Sequence, residues 1–192
     1  MKSNVTSKNF YEGDPKKVAK NLLGKSLIRK LRDDTLEGII VETEAYYGLE
    51  DPASRAYKGL KKYNKMMWSE PGRIFIYNVH NNWMLNIVAH DLGKIGAVLI
   101  RAIEPTRGIE TMRMNRPVSK IRDLTNGPGK LTKALRINKK LHGKKVTSKQ
   151  SEIFVTENNL NFKISSSNRI GVTKDLDKHL RFFIKDNYYL SR

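Results

Sequence analysis

The sequence predicts a mixed α/β domain in which strands outnumber helices and the helices pack around them. Three observations carry this. LEGIIVETEAYY alternates apolar and polar residues, the pattern of a strand with two unlike faces. RIFIYNV and WMLNIVAH are two β-rich runs separated by asparagines, which reads as a hairpin. DPKKVAKNLLGKSL carries the start and stop signals of a helix.

The elements follow in chain order. Residues 1–13 precede the first of them and are expected to be flexible. In the helix, Asp14 caps the start and Pro15 takes the first helical position, where its missing N–H costs nothing. Val18, Ala19 and Leu22 form its apolar face, and Gly24 stops it. SLIRKL and LEGIIVETEAYY are strands joined through the turn-like RDDT. From Gly48 to Pro71 the chain is polar and irregular, with Lys58, Lys61, Lys62 and Lys65 interleaved with Tyr57, Tyr63 and Trp68. The hairpin follows, with its turn placed at Asn81–Asn82. GAVLIRAIEP is a strand expected to end at Pro105, GIETMRMNR is helical, and NGPGKLTKALRI is a Gly-Pro turn leading into a helix. The tail alternates short strands with polar turns.

The chain has 192 residues, 39% of them apolar, enough for one domain spanning 1–192 with a real core. No stretch approaches the roughly 20 consecutive apolar residues of a membrane span. The N-terminal MKSNVTSKNFYEGD lacks the apolar centre of a signal peptide, so neither membrane nor secretion is expected. There is no cysteine, which excludes disulfides, thiolate metal sites and a cysteine nucleophile. Lys plus Arg is 37 against 19 Asp plus Glu, a formal net charge of +18. Such a surface repels itself unless a polyanion is near, and nucleic acid is the commonest such partner.

Alternation along the long strand places Ile40, Glu42, Glu44 and Tyr46 on one face. Glu44 and Tyr46 then stand about 7 Å apart along the strand. A carboxylate beside an aromatic ring suits acid–base work on a flat ligand. An ordinary solvated strand face gives the same pattern. In AVLIRAIEP, Ala97, Leu99, Arg101 and Ile103 share a face by the same rule. An arginine among apolar neighbours needs an anion, because guanidinium does not deprotonate. Glu44, a phosphate or a structural ion pair would each serve. Asn86 in WMLNIV is an inward amide that can bind either a base edge or backbone. The four histidines show no metal-ligand spacing, so no metal site is expected. NGPGK lacks the phosphate-loop spacing, but Lys130 at a helix start favours a phosphate.

Read in order, LLGKSLIRKL, GIIVETEAYYGLEDPASRAYKG, NKMMWSEPGRIFIY, LNIV, AVLIRAIEPTRGIETM, NGPGKLTKAL, RIGV and LRFFI span roughly Leu22 to Ile184. This combination resembles the alkyladenine (3-methyladenine) DNA glycosylases. The resemblance implies a single compact α/β domain with an antiparallel sheet, surrounding helices and a protruding β-hairpin. It implies a monofunctional base-excision-repair enzyme whose partner is double-stranded DNA containing damaged purines. Such an enzyme flips the damaged nucleotide into a pocket and hydrolyses the bond to deoxyribose, leaving an abasic site. No cofactor, no metal and no covalent lysine intermediate are implied.

By the resemblance Glu44 is the general base, while Arg101 and the backbone carbonyl of Ile170 hold the attacking water. Tyr46 stacks on the flipped base and Tyr77 flanks it. Asn86 crowds the guanine 2-amino edge. Lys130 and Met67 touch DNA, and Glu42 is structural support. A monomer is expected, cytoplasmic and nucleoid-associated, or nuclear in a eukaryote.

Two segments depart from the family. The family reads DPASHAYRG where this chain reads DPASRAYKG, which puts Arg55 at the base-contacting histidine. A permanent positive charge there predicts a preference for neutral lesions such as hypoxanthine or ethenoadenine over cationic ones. The family hairpin YVYLIYGMHYCLN is matched by FIYNVHNNWMLN, one residue shorter. The tyrosine wedge of the family then falls on His80, or on Val79 if the gap lies elsewhere. Two rival readings stand beside this one: an O-glycosidase using Glu42 and Glu44, and a DNA-binding protein that kept the fold and lost the chemistry.

Overall fold

The computed structural model describes residues 4–191 of the 192. Its frame is one antiparallel sheet of eight strands with three short α-helices. The strands are β1 (Ser26–Lys30), β2 (Thr35–Tyr46), β3 (Ile74–Val79), β4 (Asn82–Val88), β5 (Ala97–Arg107), β6 (Ile153–Thr156), β7 (Ile164–Ser167) and β8 (Arg181–Ile184). The helices are α1 (Pro15–Leu22), α2 (Ile109–Asn115) and α3 (Pro128–Ala134). The main strand order is β3-β4-β5-β2-β1-β6, with β8 also on β2 and β7 on β8.

Twelve residues long, β2 is the spine. One edge pairs with β5 from Glu37 to Tyr46. The other edge is shared: Thr35–Ile39 pairs with β1, and Glu42–Glu44 pairs with β8. Between these halves the ladder with β5 is irregular. Ile40 faces Ile103, Glu42 faces Ala102 and Thr43 faces Ile100, so Val41 and Arg101 have no register partner. An extra residue in a strand bends it and reverses the phase of its side chains. Ile40 and Ile103 therefore join the main core with Ala45, Val98 and Ile100. They do not share a face with Glu42 and Arg101, as unbroken alternation predicts.

Helix α1 packs Val18, Ala19 and Leu22 into that core. Asp14 accepts a hydrogen bond from the Lys16 N–H at 2.7 Å, and the buried Thr43 hydroxyl donates to the Ala19 carbonyl at 2.9 Å. Leu131 and Ala134 of α3 enter the same core, and Thr132 donates to the Trp83 carbonyl of β4. The stretch ahead of α1 is anchored, contrary to the expected flexibility. Val5 bridges Thr156, and Tyr11 is fully buried with its hydroxyl 2.8 Å from Thr6. Residues 1–3 of that stretch lie outside the described residues.

Two further expectations shift. The β3–β4 turn is His80–Asn81, with φ of +46° and +59°, not Asn81–Asn82. Strand β5 runs through Pro105 to Arg107. Pro105 pairs with Gly38 in a part of β5 that β4, which pairs only with residues 97–99, does not reach. A proline is tolerated on such an edge because its missing donor leaves no ladder bond broken.

Candidate active site

The irregular β2–β5 ladder gathers two carboxylates and a guanidinium. Glu42 and Glu44 are both 0% exposed, and Arg101 is 6% exposed. Arg101 Nε donates to Glu42 at 2.9 Å, and its Nη1 donates to Glu44 at 3.1 Å. Arg181 of β8 donates to Glu42 at 2.7 Å, as do the backbone N–H (2.6 Å) and hydroxyl (2.7 Å) of Ser191. Two carboxylates thus face two guanidiniums. Burial works against the charge on Arg101, but Glu44 and Glu42 outweigh it and hold its pKa above the ordinary value. Both oxygens of Glu42 are consumed by this clamp, consistent with a supporting role.

Glu44 is held differently. One oxygen accepts the Ile170 N–H at 2.8 Å, and the other accepts Arg101 and the Tyr46 hydroxyl, the latter at 2.8 Å. The Ile170 carbonyl lies 3.5 Å from Arg101 Nη1. Burial and the neighbouring Glu44 raise the Tyr46 pKa well above the ordinary phenol value. Tyr46 therefore stays protonated and remains a donor to Glu44.

Arg169, which sequence reasoning did not single out, fixes both Tyr46 and the Ile170 segment. Its guanidinium donates to both oxygens of Asp51 at 2.7 Å each, to Asp175, and to the Ala45 carbonyl at 2.9 Å. It also stacks 4.5 Å from the centre of the Tyr46 ring, covering one face of it. Asp51 is fully buried in this pairing. Arg169 and Asp51 are 118 residues apart in sequence, so no local pattern marks that pair.

In front of this network opens a cavity of about 540 Å³, within the range of small-molecule sites. Tyr46, Tyr77, Arg55, Leu99, Arg101 and Ile170 line it. Glu44 does not. It sits directly behind the wall, bonded to three of the lining residues. Arg55 stacks 4.6 Å from the centre of the Tyr77 ring, so its charge belongs to the cavity wall. Val79 lines the cavity, whereas His80 is exposed at the hairpin turn. Lys130 lines a neighbouring groove of about 290 Å³ that shares Arg101, Met84 and Pro128 with the cavity. Its Nζ donates to Asn126 at 2.8 Å.

Two expected contacts are not placed on this wall. Met67 is 1% exposed, packed with Phe75 and Val88 in a second core cluster, and presents no surface to DNA. Its apolar side chain fills the interior between Ala56, Phe75, Val88 and Ala97 instead. The Asn86 amide donates to the Phe75 and Met84 carbonyls at 3.2 Å each and borders only a void of about 10 Å³ behind Tyr46 and Tyr77. It is spent on β3–β4 backbone. Among the described residues no three His, Asp or Glu side chains gather as a metal site, and no helix is long and apolar enough to cross a membrane.

The family model described as methylpurine-DNA glycosylase matches residues 9–188. The chain belongs to the methylpurine-DNA glycosylase family. A protein of Francisella tularensis subsp. tularensis (strain FSC 198) is 43% identical over 179 residues, covering 91% of this chain and 92% of its own length. One from Aeropyrum pernix is 38% identical, with 96% and 92% covered, and one from Oceanobacillus iheyensis is 36% identical, with 97% and 95% covered. The names of all three carry the words 3-methyladenine DNA glycosylase. Each covers more than nine-tenths of this chain, so the resemblance is to nearly the whole fold.

Proposed function

We propose that this chain is a monofunctional DNA glycosylase that flips a damaged purine out of duplex DNA and hydrolyses its N-glycosidic bond. The observation that carries the reading is the carboxylate of Glu44. It is bonded to Arg101, Ile170 and Tyr46, one layer behind a cavity walled by aromatic rings. The purine lies against the open face of Tyr46, with Tyr77 and Arg55 at its flank. A water takes the place of the Tyr46 hydroxyl on Glu44, and the Ile170 carbonyl and Arg101 aim it at C1′. As the bond from C1′ to the purine nitrogen breaks, the water oxygen bonds to C1′ and its proton passes to Glu44. A cationic purine leaves neutral, and a neutral one leaves as an anion and takes up a proton. The negative carboxylate also stabilises the oxocarbenium-like sugar. Val79, His80 and Lys130 lie on the side that meets the duplex.

The fixed charge of Arg55 supports a substrate range skewed to neutral lesions. Like charges in a cavity wall repel, and 3-methyladenine and 7-methylguanine bring a cation beside a guanidinium that cannot lose its own. The O-glycosidase alternative needs Glu42 as a second free carboxyl group, and Glu42 has none of its oxygens free.

Single-turnover excision from matched duplexes tests both levels. Hypoxanthine and ethenoadenine are expected to leave faster than 7-methylguanine. Glu44→Gln should slow every lesion by roughly 10²–10⁴-fold, the usual loss with a general base. Full activity in Glu44→Gln would end the role of Glu44 as the base, and no release of any lesion by the parent chain would end the glycosylase reading. Faster release of 7-methylguanine than of hypoxanthine would end only the lesion preference.

A further inference from the structure

The loop from Arg55 to Lys65 is used only in part by the reaction above. It is rigid at its centre. Asn64, fully buried, donates its side-chain amide to the carbonyls of Arg55 (2.7 Å) and Gly59 (2.9 Å) and accepts the Lys61 N–H at 2.6 Å. Ala56 and Met67 pin its two ends to the second core cluster. Yet this fixed loop holds apolar surface out in water. Tyr57 is 47%, Leu60 64% and Tyr63 49% exposed. Tyr57 and Tyr63 both reach the cavity wall, so they stand at its mouth. Lys58, Lys61, Lys62 and Lys65 are exposed between and beside them.

Half-exposed aromatic rings on a pre-organised frame, interleaved with lysines, match the chemistry of unstacked nucleic acid. Rings offer faces to bases, and ammonium groups meet the phosphates on either side. A loop ordered in advance does not lose that freedom again on binding. A neutral protein surface has no need of four lysines around two tyrosines.

We propose that Tyr57 and Tyr63 form a stacking rim that engages bases of the duplex next to the extruded nucleotide and keeps the gap from reclosing. This rests on the glycosylase reading above. The rim faces the duplex, outside the reacting atoms, so the two tyrosines act by positioning. Lys58, Lys61 and Lys62 hold the strand against them.

The experiment compares hypoxanthine paired in a full duplex with hypoxanthine in a one-nucleotide bulge, where extrusion is already cheap. Single-turnover excision is measured for the parent chain, Tyr57→Ala, Tyr63→Ala and the two Tyr→Phe variants. Each alanine variant should lose about 10-fold or more on the paired lesion, in line with the worth of one base–ring stack, and clearly less on the bulge. Phenylalanine keeps the ring and should keep the rate. Both side chains are half in water, so circular dichroism should match the parent. Equal losses on both substrates would mean that the rings act inside the cavity, and no loss would mean that they act nowhere; either overturns the rim. Loss in the phenylalanine variants as well would assign the effect to the hydroxyls and likewise overturn it. A parent chain that releases no base from either substrate overturns the glycosylase reading, and the rim with it.

Discussion

Glu42 and Glu44 are two residues apart on one strand, equally buried, and bound to the same arginine. Their surroundings give them different work. Apart from the shared Arg101, the partners of Glu42 come from the frame: Arg181 of β8 and Ser191 near the end of the chain. The partners of Glu44 are the cavity wall itself. Glu42 should therefore govern stability and Glu44 rate. Glu42→Ala leaves two guanidiniums short of an anion, and breaking a buried pair in this way typically costs about 3–5 kcal/mol. Urea unfolding should show a midpoint lowered accordingly, with little change in slope. An unchanged midpoint would mean that water or another carboxylate replaces Glu42. Glu44→Gln keeps the shape and most contacts, so its loss should fall on excision rather than on folding.

At the scale of elements, the hairpin carries the least expected geometry. A two-residue turn with positive φ at both positions suits the right-handed twist of its strands, and asparagine or glycine usually fills it. Here histidine takes the first position, at φ +46°. This conformation holds His80 at the tip, while Val79 faces the cavity. On the glycosylase reading proposed above, Val79 is therefore the candidate wedge to test first. Val79→Ala should reduce flipping of a fluorescent base analogue more than His80→Gly, a change that removes the side chain and relieves the turn. The reverse order would return the wedge to His80. The same hairpin shows what a sequence discloses. Alternation and turn chemistry are local, so the strands, the capped α1 and the company of Glu44, Tyr46 and Arg101 were legible. The bulge at Val41 was not, because it arises where β2 passes from β1 to β8, a long-range event. Nor was the pairing of Arg169 with Asp51, in which each residue alone looks like one more surface charge. The burial of Met67 and the backbone bonds of Asn86 were not legible for a related reason. A motif gives a residue's position along the chain but not which side of an aromatic wall it occupies.

For the whole molecule the question is where the charge of +18 resides. The interior does not hold it. Among the described residues, the buried carboxylates of Glu42, Glu44 and Asp51 are matched by the buried guanidiniums of Arg29, Arg101 and Arg169, three charges against three. These charges cancel, so the excess belongs to the surface, where each ammonium or guanidinium can displace a counterion from a phosphate. Affinity for DNA should then fall steeply with salt: the slope of log Kobs against log salt is about −0.9 per phosphate neutralised, so six contacts lose about 10³ between 50 and 200 mM. Lys130, in the groove continuous with the cavity, should account for about one unit of contact. Lys130→Ala should weaken binding to damaged and undamaged duplex alike and make the slope shallower by roughly 1. Because Lys130 lies outside the buried charge network, the unfolding midpoint should not move. A flat salt profile in the parent chain would place the basic surface away from DNA. A normal slope in Lys130→Ala with slower excision would instead place Lys130 among the groups that act on the flipped nucleotide.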